Sequence, residues 1–489
     1  MSIPQYELDN PFDLLAVLLR QLQTINSYLF SNGEARNAIV IDDMCRAEVE
    51  AFLTQHSILV NPRKLLREGL DRETQEAIMS WKHYSTFTHV LVLLERIEGG
   101  LTLEELIDAP PIKNCISQEF SALNNNAETT GFCILPKVDA LLDSNNQYDG
   151  PKTRHFLRNR SNNMNNELRN LYYYPIDAAN RFDIRHIVLP HIRTEDKEQL
   201  IIAASPVMRE IPKLRENRYD VPQEDGSSIN MFSIEDVGPE EEILARIKAI
   251  FFEACKQKAD MLFFPELLGN QIFPGDQQDS QFLFDELIMS AHEAGYEKIP
   301  YLIIAPTRWV NLDNQLVVFD GNADVLMRPS KQYPFNHEKA VEDLRNRSLK
   351  ITILHIPGIG RLAFAICRDY LEPEFQRLLL ETLQCTLLIC PAFSPAKTAF
   401  EQSGEVSSAN GCYCVWCNCC AAFLKEGQKP DAEHIGFLLV PGVGIKKFEP
   451  ICSGACNGEN TVCLFVTTIF FNPERSGAAN VQHIWKNGS

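Results

Sequence analysis

The period of the apolar positions changes along the chain. Phe12, Leu15, Leu18, Leu19 and Leu22 fall at helical spacing and predict a helix over 11–30. Residues 46–53, 72–81 and 87–97 continue that pattern, and Gly99-Gly100 stops it. Thr102-Leu103-Glu104-Glu105 is a capping-box start for a further short helix. Between 111 and 180 the pattern gives way to turn-forming Asn124-Asn125-Asn126, Asn145-Asn146 and Asn162-Asn163, with Tyr172-Tyr173-Tyr174-Pro175 closing the connector. The expected organisation is a mostly helical N-terminal domain with a polar connector over 1–180, and a second domain over 185–489.

The second part alternates strand and helix. Gln199 to Ala204, Met261 to Phe264, Tyr301 to Ala305, Ile351 to Ile356, Arg361 to Cys367, Cys385 to Cys390, Cys412 to Trp416, Gly436 to Val440 and Thr461 to Thr467 are short apolar runs that predict buried strands. Gln315 to Phe319 and Ala323 to Met327 flank Asp320-Gly321-Asn322, a hairpin turn signal. The acids after Pro239 open a helix with Ile243, Ile247, Ile250, Phe251 and Ala254 on one face, and 282–294 is a second helix. A third runs over 371–380, with acids and Pro373 in its first turn. The polar stretch from Met208 to Gly238 reads as a long surface loop. The predicted class is α/β, with sheets packed together and helices outside.

At 489 residues the chain is too long for one ordinary core. Its net charge of −19 disfavours a nucleic-acid binder, which needs a basic face. The cluster Lys152, Arg154, Arg158 and Arg160 reads as a solvated linker in that setting. No apolar run is long enough to span a bilayer, and no secretion signal is visible at Met1. Fifteen irregularly spaced cysteines fit free thiols in a reducing compartment, so a cytoplasmic location is expected. Cys412, Cys414, Cys417, Cys419 and Cys420, with Cys452 and Cys456 later, could ligate zinc, but the strand-like alternation favours core packing. Neither a metal nor a cofactor is expected.

Three reactive residues stand at or just past predicted strand ends: Glu266, Lys331 and Cys367. Singly they read as a cap, a surface lysine and a packed thiol. Jointly they are a base, a cation and a nucleophile, the set that covalent acyl chemistry requires. Phe263-Phe264-Pro265-Glu266-Leu267, the hairpin leading into Lys331-Gln332-Tyr333-Pro334, and Ala365-Ile366-Cys367-Arg368-Asp369 with Glu374 and Arg377-Leu378 resemble, in order, the three catalytic segments of the nitrilase superfamily of carbon–nitrogen hydrolases. Leu388-Ile389-Cys390-Pro391-Ala392 resembles the following strand, and Ala409-Asn410-Gly411 with Tyr413 and Asn418 a later segment. The resemblance covers roughly 195–470. Arg368 stands where that family often has an aromatic residue, and the 180 N-terminal residues have no counterpart in the minimal fold.

The resemblance implies an α-β-β-α sandwich, a Glu266-Lys331-Cys367 triad, and substrate contacts from Glu338, near the family's second glutamate, and from Arg368. It implies hydrolysis of a small amide in preference to a nitrile, through a thioester on Cys367, by a homodimer or larger assembly. A competing expectation is a nitrilase-like effector or scaffold whose N-terminal domain meets a protein partner, as in bacterial phage defence beside a reverse transcriptase. A papain-like protease is disfavoured, because His337, His355 and His434 lack the flanking residues such a base needs.

Overall fold

The computed structural model describes residues 11–25, 41–56, 58, 71–99, 130–136, 171–179, 181–189, 199–207, 215–236, 240–269, 278–356, 359–423, 435–449, 461–470 and 479–486. The chain divides into two compact units. One comprises 1–195 with 353–361 and 378–385; the other comprises 196–352, 362–377 and 386–489.

In the first unit the helical periodicity forms α1 (Pro11–Ile25), α2 (Asp43–Gln55), α3 (Arg72–Ser80) and α4 (Phe87–Gly99). Leu15, Leu18, Leu19 and Leu22 are buried along α1. Asp42 caps α2 by accepting from the Cys45 N–H at 2.7 Å, and Asp71 caps α3 by accepting from Thr74 at 2.7 Å. The tyrosine run does not close a connector. It is a strand, β2 (Leu171–Pro175), antiparallel to β1 (Phe132–Pro136). Aromatic side chains alternating on a pleat favour that state. Tyr172 and Tyr174 hydroxyls reach His186 on β3 (Asp183–Val188) at 3.4 and 3.0 Å, while Tyr173 packs edge-on against Phe132.

This buried polar layer continues into the unit's later segments. His186 lies 3.0 Å from His355, and the Arg361 guanidinium sits 4.6 Å over the Tyr172 ring while donating to the Gln384 carbonyl. Burial pushes the His186 imidazole down to about 3, so it is neutral at ordinary pH. The capping box at 102, the asparagine runs, the basic cluster at 152–160, Cys452 and Cys456 lie outside the described residues.

The second unit is mixed α/β. In chain order it carries β4 (Gln199–Ala204), β5 (Arg215–Pro222), β6 (Ser228–Asp236), α5 (Glu240–Lys256), β7 (Met261–Phe263), α6 (Gln278–Glu293), β8 (Leu302–Ile304), β9 (Arg308–Val310), β10 (Asp313–Gln315), β11 (Val318–Asp320) and β12 (Val325–Met327). Then follow β13 (Asn336–His337), β14 (Ala340–Glu342), the first residues of β15 (Lys350–Ile356), the last residues of β16 (Gly360–Phe364), α7 (Pro373–Arg377), β17 (Leu387–Ala392), α8 (Lys397–Ala409), β18 (Tyr413–Asn418), β19 (Gly436–Val440), β20 (Gly444–Lys447), β21 (Val462–Phe470) and β22 (Ala479–Lys486). One sheet has the order β12-β11-β8-β7-β4-β21-β22, with β4, β7 and β8 parallel. A second contains the run β20-β19-β18-β17-β16, with β16, β17 and β18 parallel. The predicted apolar face of α5, Ile243 to Ala254, is completely buried in a core shared with α6 and the first sheet. Phe448, just past β20, stacks at 4.9 Å on Phe465 of β21.

Two expectations change. The stretch from Met208 to Gly238 is not a loop throughout. It contains the hairpin β5–β6, whose turn holds Gly226 at φ +83° and whose Phe232 and Ile234 alternate into the core. The helix predicted over 371–380 is three short pieces: a 3₁₀ turn over Cys367–Leu371, α7, and a π-helical segment over Leu378–Thr382. The cysteines of β18 and its flanks, Cys412, Cys414, Cys417, Cys419 and Cys420, are all buried.

Gly436 fixes the approach of β19 to β18. A Cβ there would collide with the Trp416 carbonyl oxygen and come within 2.6 Å of the Phe448 ring. Gly436→Ala is expected to cost about 1–3 kcal/mol, as overpacking does. Urea unfolding checks this: the midpoint should fall while the slope is unchanged.

Candidate active site

Three chain segments of the second unit end side by side. The first leaves β7 through Phe264, whose N–H donates to the Ile304 carbonyl, and delivers Glu266. Leu267 follows at φ +74°, with its N–H held by the Thr307 hydroxyl at 2.9 Å. The second is extended chain after β12. Ser330 bridges to Gln315, and the Lys331 N–H donates to the Asn314 carbonyl at 2.8 Å. The third leaves β16, pairs once more through the Ala365 N–H to the Ile389 carbonyl, and turns sharply at Cys367.

Cys367 has φ +49°, a region that β-carbon-bearing residues seldom occupy. Asp369 holds this turn. One of its carboxylate oxygens accepts from the Ile366 N–H at 3.2 Å; the other accepts from the Gln332 and Tyr333 N–H groups at 2.9 and 2.7 Å. The two residues after Lys331 are thus tied to the residue two past Cys367.

At the centre, the Lys331 ammonium lies 2.7 Å from Glu266 Oε1 and 2.8 Å from Glu342 Oε2. All three side chains are 2–4% exposed. Asn314 Nδ2 donates to Glu266 Oε1 at 2.9 Å and to Glu342 Oε1 at 3.3 Å. The Phe393 N–H donates to Glu266 Oε2 at 3.0 Å, and the Phe335 N–H to Glu342 Oε2 at 2.8 Å. Asn418 brackets the Phe393 segment, accepting from the Ser394 N–H at 3.0 Å and donating to the Ser394 carbonyl. The Cys367 thiol is beside this cluster, with the Glu266 carboxylate and the Phe393 N–H as its polar neighbours.

The charges set one another. Burial alone would push the Lys331 ammonium down, but Glu266 and Glu342 outweigh it and hold it well above its ordinary value. Burial pushes the Cys367 thiol well up, the Glu266 charge adds to that, and Lys331 opposes it. The resting sulfur is therefore a thiol. Burial also raises Glu342; Lys331 opposes this and the Glu266 charge reinforces it.

No protein-family model matches the chain, and no curated protein matches it. Solved structures do. An amidase from Nesterenkonia sp. is 16% identical over 56% of this chain and 90% of its own, with a TM-score of 0.38. The C. elegans NitFhit protein is 15% identical over 56% and 61%, with a TM-score of 0.35. Saccharomyces cerevisiae Nit3, a member of branch 10 of the nitrilase superfamily, is 13% identical over 57% and 91%, with a TM-score of 0.35.

Glu266, Lys331 and Cys367 come together; the two residues expected to meet substrate are placed differently. Glu338 is not in the cluster. It and Lys339 take φ +46° and +70° in the two-residue turn between β13 and β14, and Glu338, 70% exposed, pairs with Arg218. A turn tip of that kind points outward. The second carboxylate on Lys331 is Glu342, four residues on, at the end of β14. The signal for it was the Ala340-Val341-Glu342 strand. It went unrecognised because its partner β6 lay in the supposed loop. The Arg368 side chain is 44% exposed and pairs with Glu372. Asn314 was also missed; an asparagine in a three-residue strand carries no local signal.

Lys331→Met leaves two buried carboxylates facing each other without a cation. Breaking such a pair costs about 3–5 kcal/mol. In the variant, carboxyl pKa values in the folded state should rise above their unfolded values. The contribution of this pair to the variant's stability should then be greatest below about pH 4, near the unfolded carboxyl value, and fall as pH rises through the folded values. Chemical denaturation of wild type and variant at pH 5 and pH 8 measures it; a gap that does not widen at pH 8 contradicts the account.

Proposed function

We propose that this chain hydrolyses a non-peptide carbon–nitrogen bond, in an amide rather than a nitrile, through a thioester on Cys367. The observation that carries this is the buried Lys331 ammonium held between Glu266 and Glu342 beside a thiol in a strained turn. A structural ion pair needs neither the second acid nor a nucleophile at its edge.

The roles follow from the chemistry. Because the resting sulfur is a thiol, Glu266 takes the Cys367 proton as the sulfur attacks the carbonyl carbon. The carbonyl electrons move to oxygen, where the Lys331 ammonium and the Arg368 backbone N–H stabilise the oxyanion. The C–N bond breaks as the oxyanion collapses, and the leaving amine takes the proton from Glu266. Water then gives a proton to Glu266 and attacks the thioester; as the C–S bond breaks, Glu266 returns that proton to sulfur, releasing the acid and the Cys367 thiol. Glu342 and Asn314 act through Lys331 and Glu266 by fixing where they point. A tetrahedral adduct made by a nucleophile of fixed position favours planar amides small enough to reach a buried sulfur.

Cys367→Ala should abolish turnover in a small-amide panel read by ammonia release. Glu266→Gln should slow formation of the thioester by orders of magnitude, and Lys331→Met should cost roughly a hundredfold or more in kcat/KM. Intact mass after a short pulse of substrate tests the intermediate: the wild type should gain the acyl mass on Cys367. Turnover retained by Cys367→Ala would sink the proposal.

Glu342→Gln keeps the side-chain shape and separates positioning from chemistry. It should lower kcat more than it raises KM. Equal loss of activity and of folded protein would instead assign Glu342 a structural role.

A further inference from the structure

The first unit holds a second cluster of reactive side chains that the proposed hydrolysis does not use. Glu48 lies on α2, His83 in the turn after α3, and His89 in α4. His89 Nε2 is 2.8 Å and His83 Nε2 3.4 Å from the same oxygen, Glu48 Oε2. Among the described residues this is the one group of three histidine, cysteine or carboxylate side chains whose ligand atoms converge, all within 4.8 Å. The two imidazoles stack face to face, centroids 4.0 Å apart and 4° from parallel. Trp81 stands edge-on to both rings, at 5.3 and 5.8 Å, and stacks on Phe52 at 4.5 Å.

Two features point to a ligand. His83 Nε2 is a buried polar atom with no hydrogen-bond partner: its approach to Glu48 lacks hydrogen-bond geometry. Two of the three, Glu48 and His83, border an open cleft of about 500 Å³, lined also by Phe52, His56, Ser80 and Trp81. A cleft of that size beside Glu48 and His83 leaves room for a further ligand.

We propose that Glu48, His83 and His89 bind a divalent transition-metal ion of the zinc class, with an open position facing the cleft. Two imidazole nitrogens and one carboxylate oxygen form a borderline donor set, which suits Zn²⁺ over Mg²⁺ or Ca²⁺. Three protein ligands satisfy a tetrahedral ion only in part, so the fourth place falls to water or a small anion. Two ligating rings cannot remain parallel, because each must aim its nitrogen lone pair at one point. Binding therefore splays the stacked pair, and Trp81, in contact with both rings, should register it. The site lies in α2, α4 and the turn between α3 and α4, so metal binding there is measured without reference to the proposed Cys367 chemistry.

Co²⁺ titration of the chelator-treated full chain, followed by visible absorption, tests this. The expected result is one equivalent bound with nitrogen–oxygen d–d bands and no thiolate charge-transfer band, displaced by Zn²⁺. Glu48→Gln and His89→Gln should each weaken binding at least about tenfold. A thiolate band would move the metal to the cysteines and overturn the proposal. So would the absence of Co²⁺ binding to wild type, or binding unchanged in the His83→Gln/His89→Gln double variant. The wild-type spectrum decides even where a variant folds poorly.

Discussion

The placement of the Lys331 ammonium between two carboxylates constrains everything around it. Taking a cation and two anions out of water costs several kcal/mol per ion, and only close, fully hydrogen-bonded geometry returns it. The surroundings supply that geometry. Asn314 donates to both acids, Phe393 donates to Glu266, and Phe335 donates to Glu342. Each donor comes from a different stretch of chain. The cluster therefore forms only when β7, β10, β14 and the turn after β17 are all in place. It reports complete folding of the second unit, and adds little to the stability of any single strand.

Electrostatics also bear on how a thiol with a raised pKa could serve as the nucleophile of the proposed reaction. A thiolate next to Glu266 would put a second negative charge against the first, which the raised Cys367 value expresses. In the proposed hydrolysis, proton and charge therefore move together: as the sulfur gives its proton to Glu266, negative charge leaves the carboxylate and passes through sulfur to the substrate oxygen. Lys331 faces negative charge at each stage without moving. A preorganised cation of this kind costs no reorganisation at the moment of reaction.

Much of this was legible in the residues, for reasons that can be named. The strands that lead to Glu266 and Cys367 are buried on both faces, so Met261-Leu262-Phe263 and Leu362-Ala363-Phe364 are unbroken apolar runs ending just before those residues. The five apolar positions of α5 were equally plain, because a helix packed on a sheet writes its period strongly. What failed was exposed or short. The β5–β6 hairpin alternates polar residues with Phe232 and Ile234, and its length and charge imitate a loop. Losing it removed the parallel partner of β14, and with that the reason to choose Glu342 over Glu338. Three-residue strands such as β10 leave no period to read, so Asn314 was invisible. The Glu48-His83-His89 convergence depends on the packing of α2 against α4 and on the turn before α4, which spacing along one helix cannot express.

Asp369 shows how the separate stretches are brought into register. Cys367 is held at a positive φ, which costs of order 1–3 kcal/mol and persists only where neighbours over-determine it. Asp369 is that determinant. One oxygen closes the turn onto Ile366, and the other gathers the N–H groups of Gln332 and Tyr333. A single side chain thereby fixes the backbone on both sides of the gap between sulfur and ammonium. Its carboxylate is itself fully buried, so it too is stable only when the segment after Lys331 presents those N–H groups. The strained turn and the buried cation are then mutually dependent: neither Cys367 nor Lys331 is held in its position without the other's segment. This coupling, more than the apolar strands that deliver the residues, makes the site all-or-none.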